Sequence, residues 1–382
     1  PTDGSSSESL LDNTIENVDA VIIIPGIMGS RLYASKTLLT DGVLIHEGEQ
    51  IWDPMPDSIL DAAKFFSKFS LIDNNIVNVH KPIVNNIELN EYGANNTFEV
   101  LYKAIYDEFY TESRDIILYE YDWRQDPYET ACELDSYITK QGYADVAFVA
   151  HSMGGIVTAQ YISTGENQRN KVSLNVTVGT PYLGSENAAL TCLGVNVNED
   201  AINSFFSENL KIDLNLEYDF NIRFNKIVCN LPSIYALLVP EYSFKPYISY
   251  QNSSDEMIAC QTYADTIKVI SEFNQNEWDE EVYSQIVLNQ HNLFNETGVV
   301  TDMVNSYYIV VTEKNTLDNI NLYLNEETYE IESLITNGFT SGDGTVSEYS
   351  ATAGGSLDAD RIFYKHDLKN MSSKHSDLVN GN

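Results

Sequence analysis

The chain has 382 residues, 43% hydrophobic and 11% aromatic, enough apolar material for a large core and too much for wholesale disorder. Lys and Arg number 21 against 57 Asp and Glu, a formal net charge of −36, and a surface that acidic repels nucleic acid and anionic membranes. No run of eighteen apolar residues occurs, so no segment has the length of a membrane-spanning helix. Residues 1–17 are polar and acidic and read as a flexible segment, a mature N-terminus or a linker cut from a longer polypeptide. Val21-Ile-Ile-Ile24 is a short continuous apolar run, the pattern of a strand buried on both faces of a parallel sheet, and it ends at Pro25-Gly26. Residues 35–90 lack a steady period and read as an excursion from the core, with Trp52 and the pair Phe65-Phe66 as its conspicuous apolar members.

Leu101 to Phe109 then has the spacing of an amphipathic helix, Ile116 to Tyr119 reads as a strand and Tyr128 to Thr139 as a helix. Val146-Ala-Phe-Val149 is the next strand, Val157 to Ile162 the next helix, and Leu174 to Val178 a further strand running into Gly179-Thr-Pro181. This alternation predicts a doubly wound, mostly parallel α/β sheet. From 185 to 300 the rhythm is lost, and that stretch reads as an inserted cap that includes the apolar run Ile234 to Val239. Tyr307 to Val311 resumes the strand pattern, and Tyr329 to Glu332 reads as part of a hairpin. The predicted organisation is therefore a core formed by 18–184 and 301–382, interrupted by the early excursion and the cap. Four cysteines stand at 132, 192, 229 and 260, none with the close spacing of a zinc site. The last three share the cap stretch, where one bridge is expected, whereas Cys132 reads as a small helical side chain.

The segment Val149-Ala-His-Ser-Met-Gly-Gly-Ile156 carries the chemistry. A strand, a serine on a sharp turn and a helix make a nucleophile elbow, and the strained turn requires small residues two before and two after the serine. Ala150 and Gly154 satisfy that requirement around Ser152. A serine hydroxyl needs a base to take its proton, and the base needs a carboxylate to fix its tautomer. In this fold the partners follow the serine in the order acid, then histidine. Asp343, flanked by Gly342 and Gly344 after a late strand, is the favoured acid, although an ordinary Asp-Gly turn has the same look. For the base, His375 and His366 both stand late in the chain; His375, in a final loop, is favoured. His151 is expected to pack beside the site and touch substrate rather than serve as the base. The remaining histidines precede the serine or fall in the cap. Two backbone N–H groups must face the developing negative oxygen, and loss of one such donor costs about 3 kcal/mol of transition-state stabilisation. Met153, directly after the serine, and Ile27, in Pro25-Gly-Ile-Met-Gly-Ser30, are the expected donors.

Taken in order, Ile24 to Leu32, Ile51-Trp-Asp53, Tyr121-Asp-Trp-Arg124, Ala150 to Gly155, Gly179 to Ser185, Leu231 to Leu238, Gly342 to Val346 and Lys374 to Leu378 resemble the lecithin:cholesterol acyltransferase-like family, which includes lysosomal phospholipase A2. The resemblance spans about residues 20 to 380. It implies an α/β-hydrolase core with a cap and a small membrane-binding subdomain, a triad of Ser152, Asp343 and His375, and amide donors at Ile27 and Met153. It also implies no metal and no other cofactor. The early excursion would then be the lid and membrane-facing region. Read from the residues themselves, Trp52 either contacts substrate or packs in a satellite core, and the same two readings hold for Phe65 and Phe66. Family members close that region with a disulfide, and this chain has no cysteine before Cys132. Asp122 and Arg124 read either as cleft residues or as a structural ion pair beneath it.

The function expected is that of a secreted serine esterase, or such a domain of a larger surface protein. It would cleave acyl esters of lipids, above all phospholipids, through an acyl-enzyme. Its partners would be the acyl-ester substrate and a membrane or lipoprotein-like surface, not nucleic acid. Esters of soluble alcohols or polysaccharides, and a non-catalytic binding module on a hydrolase scaffold, are the alternatives.

Overall fold

The computed structural model describes residues 17–40, 43–52, 83–86, 92–193, 231–241, 245–252, 254–274, 280–295, 298–324, 331–368 and 373–379. Most of the early excursion, including Phe65 and Phe66, lies outside these residues, as do 194–230 of the cap stretch and residues 1–16. In chain order the strands begin with β1 (Ala20–Ile24), β2 (Leu32–Tyr33), β3 (Leu38–Thr40), β4 (Val43–Ile45), β5 (Gln50–Trp52) and β6 (Ile83–Val84). They continue with β7 (Asp115–Leu118), β8 (Val146–His151), β9 (Val172–Val178), β10 (Ile248–Gln251), β11 (Met257–Ala259), β12 (Phe294–Asn295) and β13 (Gly298–Val299). The last four are β14 (Ser306–Val310), β15 (Lys314–Leu324), β16 (Ile331–Gly342) and β17 (Ile362–Tyr364).

A seven-stranded sheet in the order β17-β14-β9-β8-β1-β7-β6 forms the centre. All its pairings are parallel except that of β6 with β7. The apolar run of β1 sits between β8 and β7 and is buried at all five positions, as a central strand covered on both faces must be. One face packs under the helices Pro127–Gln141 and Met153–Thr164, where Leu134, Ile138, Val157 and Tyr161 join Ile22, Ile24 and Phe148 in the main core. The other face meets helix Glu99–Phe109 through Tyr102 and Ile105, which pack with Val21, Ile23 and Ile116. The first of these helices is capped at both ends: Asp126 accepts from Tyr128 N–H, Pro127 begins it, and Gly142 closes it with left-handed backbone.

A second sheet, β11-β10-β15-β16, departs from the division by residue number expected above. Strands β10 and β11 come from the cap stretch, while the long hairpin β15-β16 follows the late core strand β14 directly. β10 pairs parallel with β15 from Ile248 opposite Ile320 to Tyr250 opposite Leu322, so the two stretches share one sheet. Periodicity marks each strand but not which remote strand completes its hydrogen bonds. The expected bridge among the late cysteines is not made at Cys260, a free thiol, and Cys229 lies outside the described residues. Burial raises the Cys260 thiol to about 11, as suits an inert core residue.

Candidate active site

Strand β8 ends at His151, and the elbow helix begins at Met153. Ser152 lies between them at φ 53° and ψ −126°, a strained conformation for a residue with a side chain. Its N–H donates to Val178 O at 2.9 Å, which fastens the turn to the end of β9. The two glycines after Met153 are required by close packing. A Cβ on Gly154 would stand 2.3 Å from Ile24 O and 2.6 Å from Pro25 O, so the helix start and the end of β1 can meet only without one. A Cβ on Gly155 would stand 1.9 Å from Thr180 Oγ1.

The structure brings Ser152, His375 and Asp343 into one hydrogen-bonded chain. Ser152 Oγ lies 2.8 Å from His375 Nε2, and His375 Nδ1 lies 2.6 Å from Asp343 Oδ2. All three residues are buried. Asp343 follows β16 on a tight turn in which its Oδ1 accepts from Thr345 N–H at 2.9 Å and from Val346 N–H at 2.7 Å. These bonds hold one carboxylate oxygen and leave the other facing the imidazole. His375 opens a short 3-10 turn, and its own N–H donates to Asp343 O at 3.1 Å. Asp343 and His375 are thus joined through backbone as well as side chain. Gly179, at φ 58°, passes beneath the pair; a Cβ there would lie 3.1 Å from Asp343 Oδ2 and 3.3 Å from His375 Nδ1. His366 stands exposed in another turn, stacked on Tyr364, and is not part of this chain.

His151 packs against His375 with ring centroids 4.9 Å apart. Its Nε2 lies 3.1 Å from His375 O; a carbonyl only accepts, so this nitrogen carries the proton. Burial, then the neighbouring His375, lower the His151 pKa to about 3, which leaves the ring neutral. His151 is therefore a neutral ring packed against His375, and its solvent-facing surface is small.

On the other side of Ser152, Ile27 and Met28 form the turn that follows β1. Met153 is the first residue of the elbow helix, where N–H groups have no intrahelical acceptor. Trp52 follows the packing alternative and not the substrate contact. Its side chain is fully buried, edge-on to Trp123 at 5.2 Å, and its Nε1–H donates to Met28 O at 2.9 Å. An indole enclosed in this way has no face for an acyl chain. The aperiodic surroundings of Trp52 gave no sign of which way it would turn. Asp122 and Arg124 follow the structural alternative: Arg124 is fully buried and grips the carboxylate with two bonds, Nε to Oδ1 at 2.8 Å and Nη2 to Oδ2 at 2.9 Å. Sequence reasoning missed Thr316, whose Oγ1 accepts from Gly344 N–H at 2.9 Å, and Tyr121, whose hydroxyl donates to Pro25 O at 2.7 Å. The Tyr121-Asp-Trp-Arg124 motif was the available signal for the second. Among the described residues, no group of three or more His, Cys, Asp or Glu side chains is placed to hold a metal ion.

A family model described as Lecithin:cholesterol acyltransferase matches residues 60–211, a range that contains the elbow. Among solved structures, a chain of the Tle4-Tli4 complex is similar over 94% of this chain and 95% of its own, with 12% identity and a TM-score of 0.59. The mature form of the Bacillus licheniformis lipase BlEst2 aligns over 96% of this chain and 88% of its own, at 11% identity and a TM-score of 0.33. No curated protein matches. The first likeness bears on the fold alone, and it agrees with the parallel sheet and elbow described above. Over residues 60–211 the chain is similar to the lecithin:cholesterol acyltransferase family, and its fold is that of an α/β-hydrolase.

Proposed function

We propose that the protein cleaves acyl esters of lipids, phospholipids foremost, by forming an acyl-enzyme on Ser152. The observation that carries this reading is the Ser152–His375–Asp343 chain, with bonds of 2.8 and 2.6 Å. In this scheme His375 holds its proton on Nδ1, toward Asp343, and Nε2 accepts the proton of Ser152 Oγ as that oxygen bonds to the ester carbonyl carbon. The carbonyl π electrons move onto oxygen, and the N–H groups of Ile27 and Met153 stabilise the charge. The C–O bond to the leaving alcohol breaks as His375 Nε2–H protonates that alcohol. Water or a second alcohol, deprotonated in turn by His375, then attacks the acyl-serine, and the serine recovers its proton. Hydrolysis and transfer differ only in this acceptor.

The early excursion is assigned the lid and membrane-facing role, and an extracellular location suits the acidic surface. The test is mass spectrometry of products from phosphatidylcholine vesicles supplied with a lipophilic alcohol, comparing wild type with Ser152→Ala. Fatty acid or acylated alcohol from wild type alone is the expected result and identifies the acceptor. No product from vesicles, with turnover of dissolved short-chain esters, would overturn the lipid assignment and retain the esterase.

A further inference from the structure

The loop Pro25–Ser30 is held almost wholly through its carbonyl groups. Tyr121 hydroxyl donates to Pro25 O at 2.7 Å, Trp52 Nε1–H to Met28 O at 2.9 Å and Trp123 Nε1–H to Ser30 O at 3.2 Å. Ala94 N–H donates to Gly29 O at 2.9 Å, and Gly29 N–H donates back to Gly26 O at 3.1 Å. All three aromatic donors are buried, and none comes from the loop itself.

A trans peptide is planar, with its N–H directed away from its C=O, so fixing one group fixes the other. The peptide between Met28 and Gly29 has its carbonyl on the Trp52 indole, which directs Gly29 N–H back at Gly26 O. The peptide between Gly26 and Ile27 then has its carbonyl on Gly29 N–H, which directs Ile27 N–H to the opposite side. Two rigid planes thus connect the Trp52 indole to the amide assigned to the oxyanion. Met28, the residue between them, has φ 62°. For a residue with a side chain, the left-handed region is unfavourable. Without a bond to its carbonyl, Met28 has a lower-energy conformation available, and the turn that aims Ile27 N–H relaxes.

We infer that Trp52 is a positioning residue for the oxyanion hole, acting through Met28 O and Gly29 N–H on Ile27 N–H, with Tyr121 fixing the Pro25 end of the same loop. The inference rests on the reading of Ser152 as nucleophile and goes beyond it. A role in packing alone predicts lost stability with unchanged turnover per intact site; a positioning role predicts a lower kcat without a change in ground-state binding.

Trp52→Phe removes the indole N–H and keeps an aromatic ring, and Tyr121→Phe removes only a hydroxyl. Each variant would be assayed on p-nitrophenyl butyrate, with active sites counted by exhaustive fluorophosphonate labelling and with inhibition by an alkyl trifluoromethyl ketone, whose adduct carries the oxyanion. Loss of an oxyanion donor outright lowers kcat about 10²–10³-fold, so misdirection of one donor should lower it roughly 10–100-fold. The expected result for both variants is a fall of that size per labelled site, KM within about twofold, and ketone affinity reduced in step with kcat. Wild-type kcat and ketone affinity in the labelled fraction of either variant would overturn the inference alone, whatever happens to Tm. A wild-type protein that forms no fluorophosphonate adduct at Ser152 would overturn the nucleophile assignment and this inference with it.

Discussion

The two sides of Ser152 are built by different means. On the base side, the carboxylate turn is local: Asp343 takes N–H groups from residues two and three positions on, and His375 N–H, 32 positions away, adds one bond to Asp343 O. On the other side, the Pro25–Ser30 loop depends on Trp52, Tyr121 and Trp123, donors that lie 24, 96 and 93 positions away. A tight carboxylate turn organises itself, so its chemistry is concentrated in a few adjacent residues. A loop that must turn amides toward solvent-sized space cannot use those amides for its own bonding, and side chains from elsewhere must hold its carbonyls. The difference predicts unequal responses to substitution: changes at the base side should remove catalysis in single steps, while support on the other side should fail by degrees.

The largest effect is expected at Asp343. In Asp343→Asn the amide oxygen can still accept from Thr345 and Val346, so the turn keeps its shape. The NH2 group then faces His375 Nδ1 and favours the tautomer with its proton on Nε2, which cannot accept from Ser152. A fall in kcat on the order of 10⁴-fold is expected, the scale of carboxylate loss in serine triads. A fall below tenfold, measured on p-nitrophenyl butyrate, would mean that Asp343 orients nothing.

Gly154 joins the elbow helix to the start of the Pro25–Ser30 loop. A methyl group here meets two backbone oxygens, those of Ile24 and Pro25, and neither can rotate away. Gly154→Ala should therefore lower stability by roughly 3–4 kcal/mol, at the upper end of overpacking effects, and shift the loop that carries Ile27. Thermal unfolding checks the first part. A fully stable variant with normal turnover would show that the elbow helix can retreat without disturbing either side.

How much of this was legible depended on the distance between partners in the chain. The central strands announced themselves through short apolar runs, and the elbow through Ala150, Ser152 and Gly154. Asp343 and His375 were expected from chain order and from glycines beside the acid, and the structure places them in hydrogen-bonding line with Ser152. Trp52 could be read either as a substrate contact or as core packing because residues 35–90 have no period, and without one a large aromatic residue carries no indication of its burial. Tyr121 and Thr316 were missed because their partners are 96 and 28 residues away. A hydroxyl bound to a remote backbone group leaves no local pattern that names its partner, although the Tyr121-Asp-Trp-Arg124 motif marked the Tyr121 segment. The pairing of β10 with β15 was hidden for the same reason.

A titrating group adjoins the base side. Ser185 Oγ donates to Thr345 O at 2.6 Å, and the next residue, Glu186, is buried with Lys245 Nζ 3.9 Å from its carboxylate. Asp318 of β15 faces the same lysine. Burial, opposed in part by Lys245, raises Glu186 from 4.5 to about 7. The folded protein then keeps a proton that the unfolded chain releases, so stability falls as pH rises from about 4.5 to about 7 and levels off above. A tenfold difference in proton affinity between the folded and unfolded chain is worth about 1.4 kcal/mol, which gives up to about 3 kcal/mol in all. Glu186→Gln should raise Tm relative to wild type at pH 8 and leave it unchanged near pH 4.5. A constant difference at both pH values would show that the carboxyl does not titrate across folding. His151 has the opposite sign. Its pKa is lowered, so the stability it contributes is full above about 6.5 and is lost as pH falls toward about 3.

The smallest effect should come from Thr316, the one side-chain hydroxyl on β15 that reaches the acid turn. Thr316→Val keeps the shape and removes the acceptor of Gly344 N–H, a loss worth about 1 kcal/mol when water can take its place. Gly344 has open space where a side chain would lie, so solvent can reach this turn. The two carboxylate bonds at Thr345 and Val346 remain, and the Asp343–His375 geometry should persist. Turnover is therefore expected within about threefold of wild type, with Tm lower by a few degrees. If kcat instead fell a hundredfold, the acid turn would depend on remote side chains as much as the Pro25–Ser30 loop does, and the contrast between the two sides would disappear.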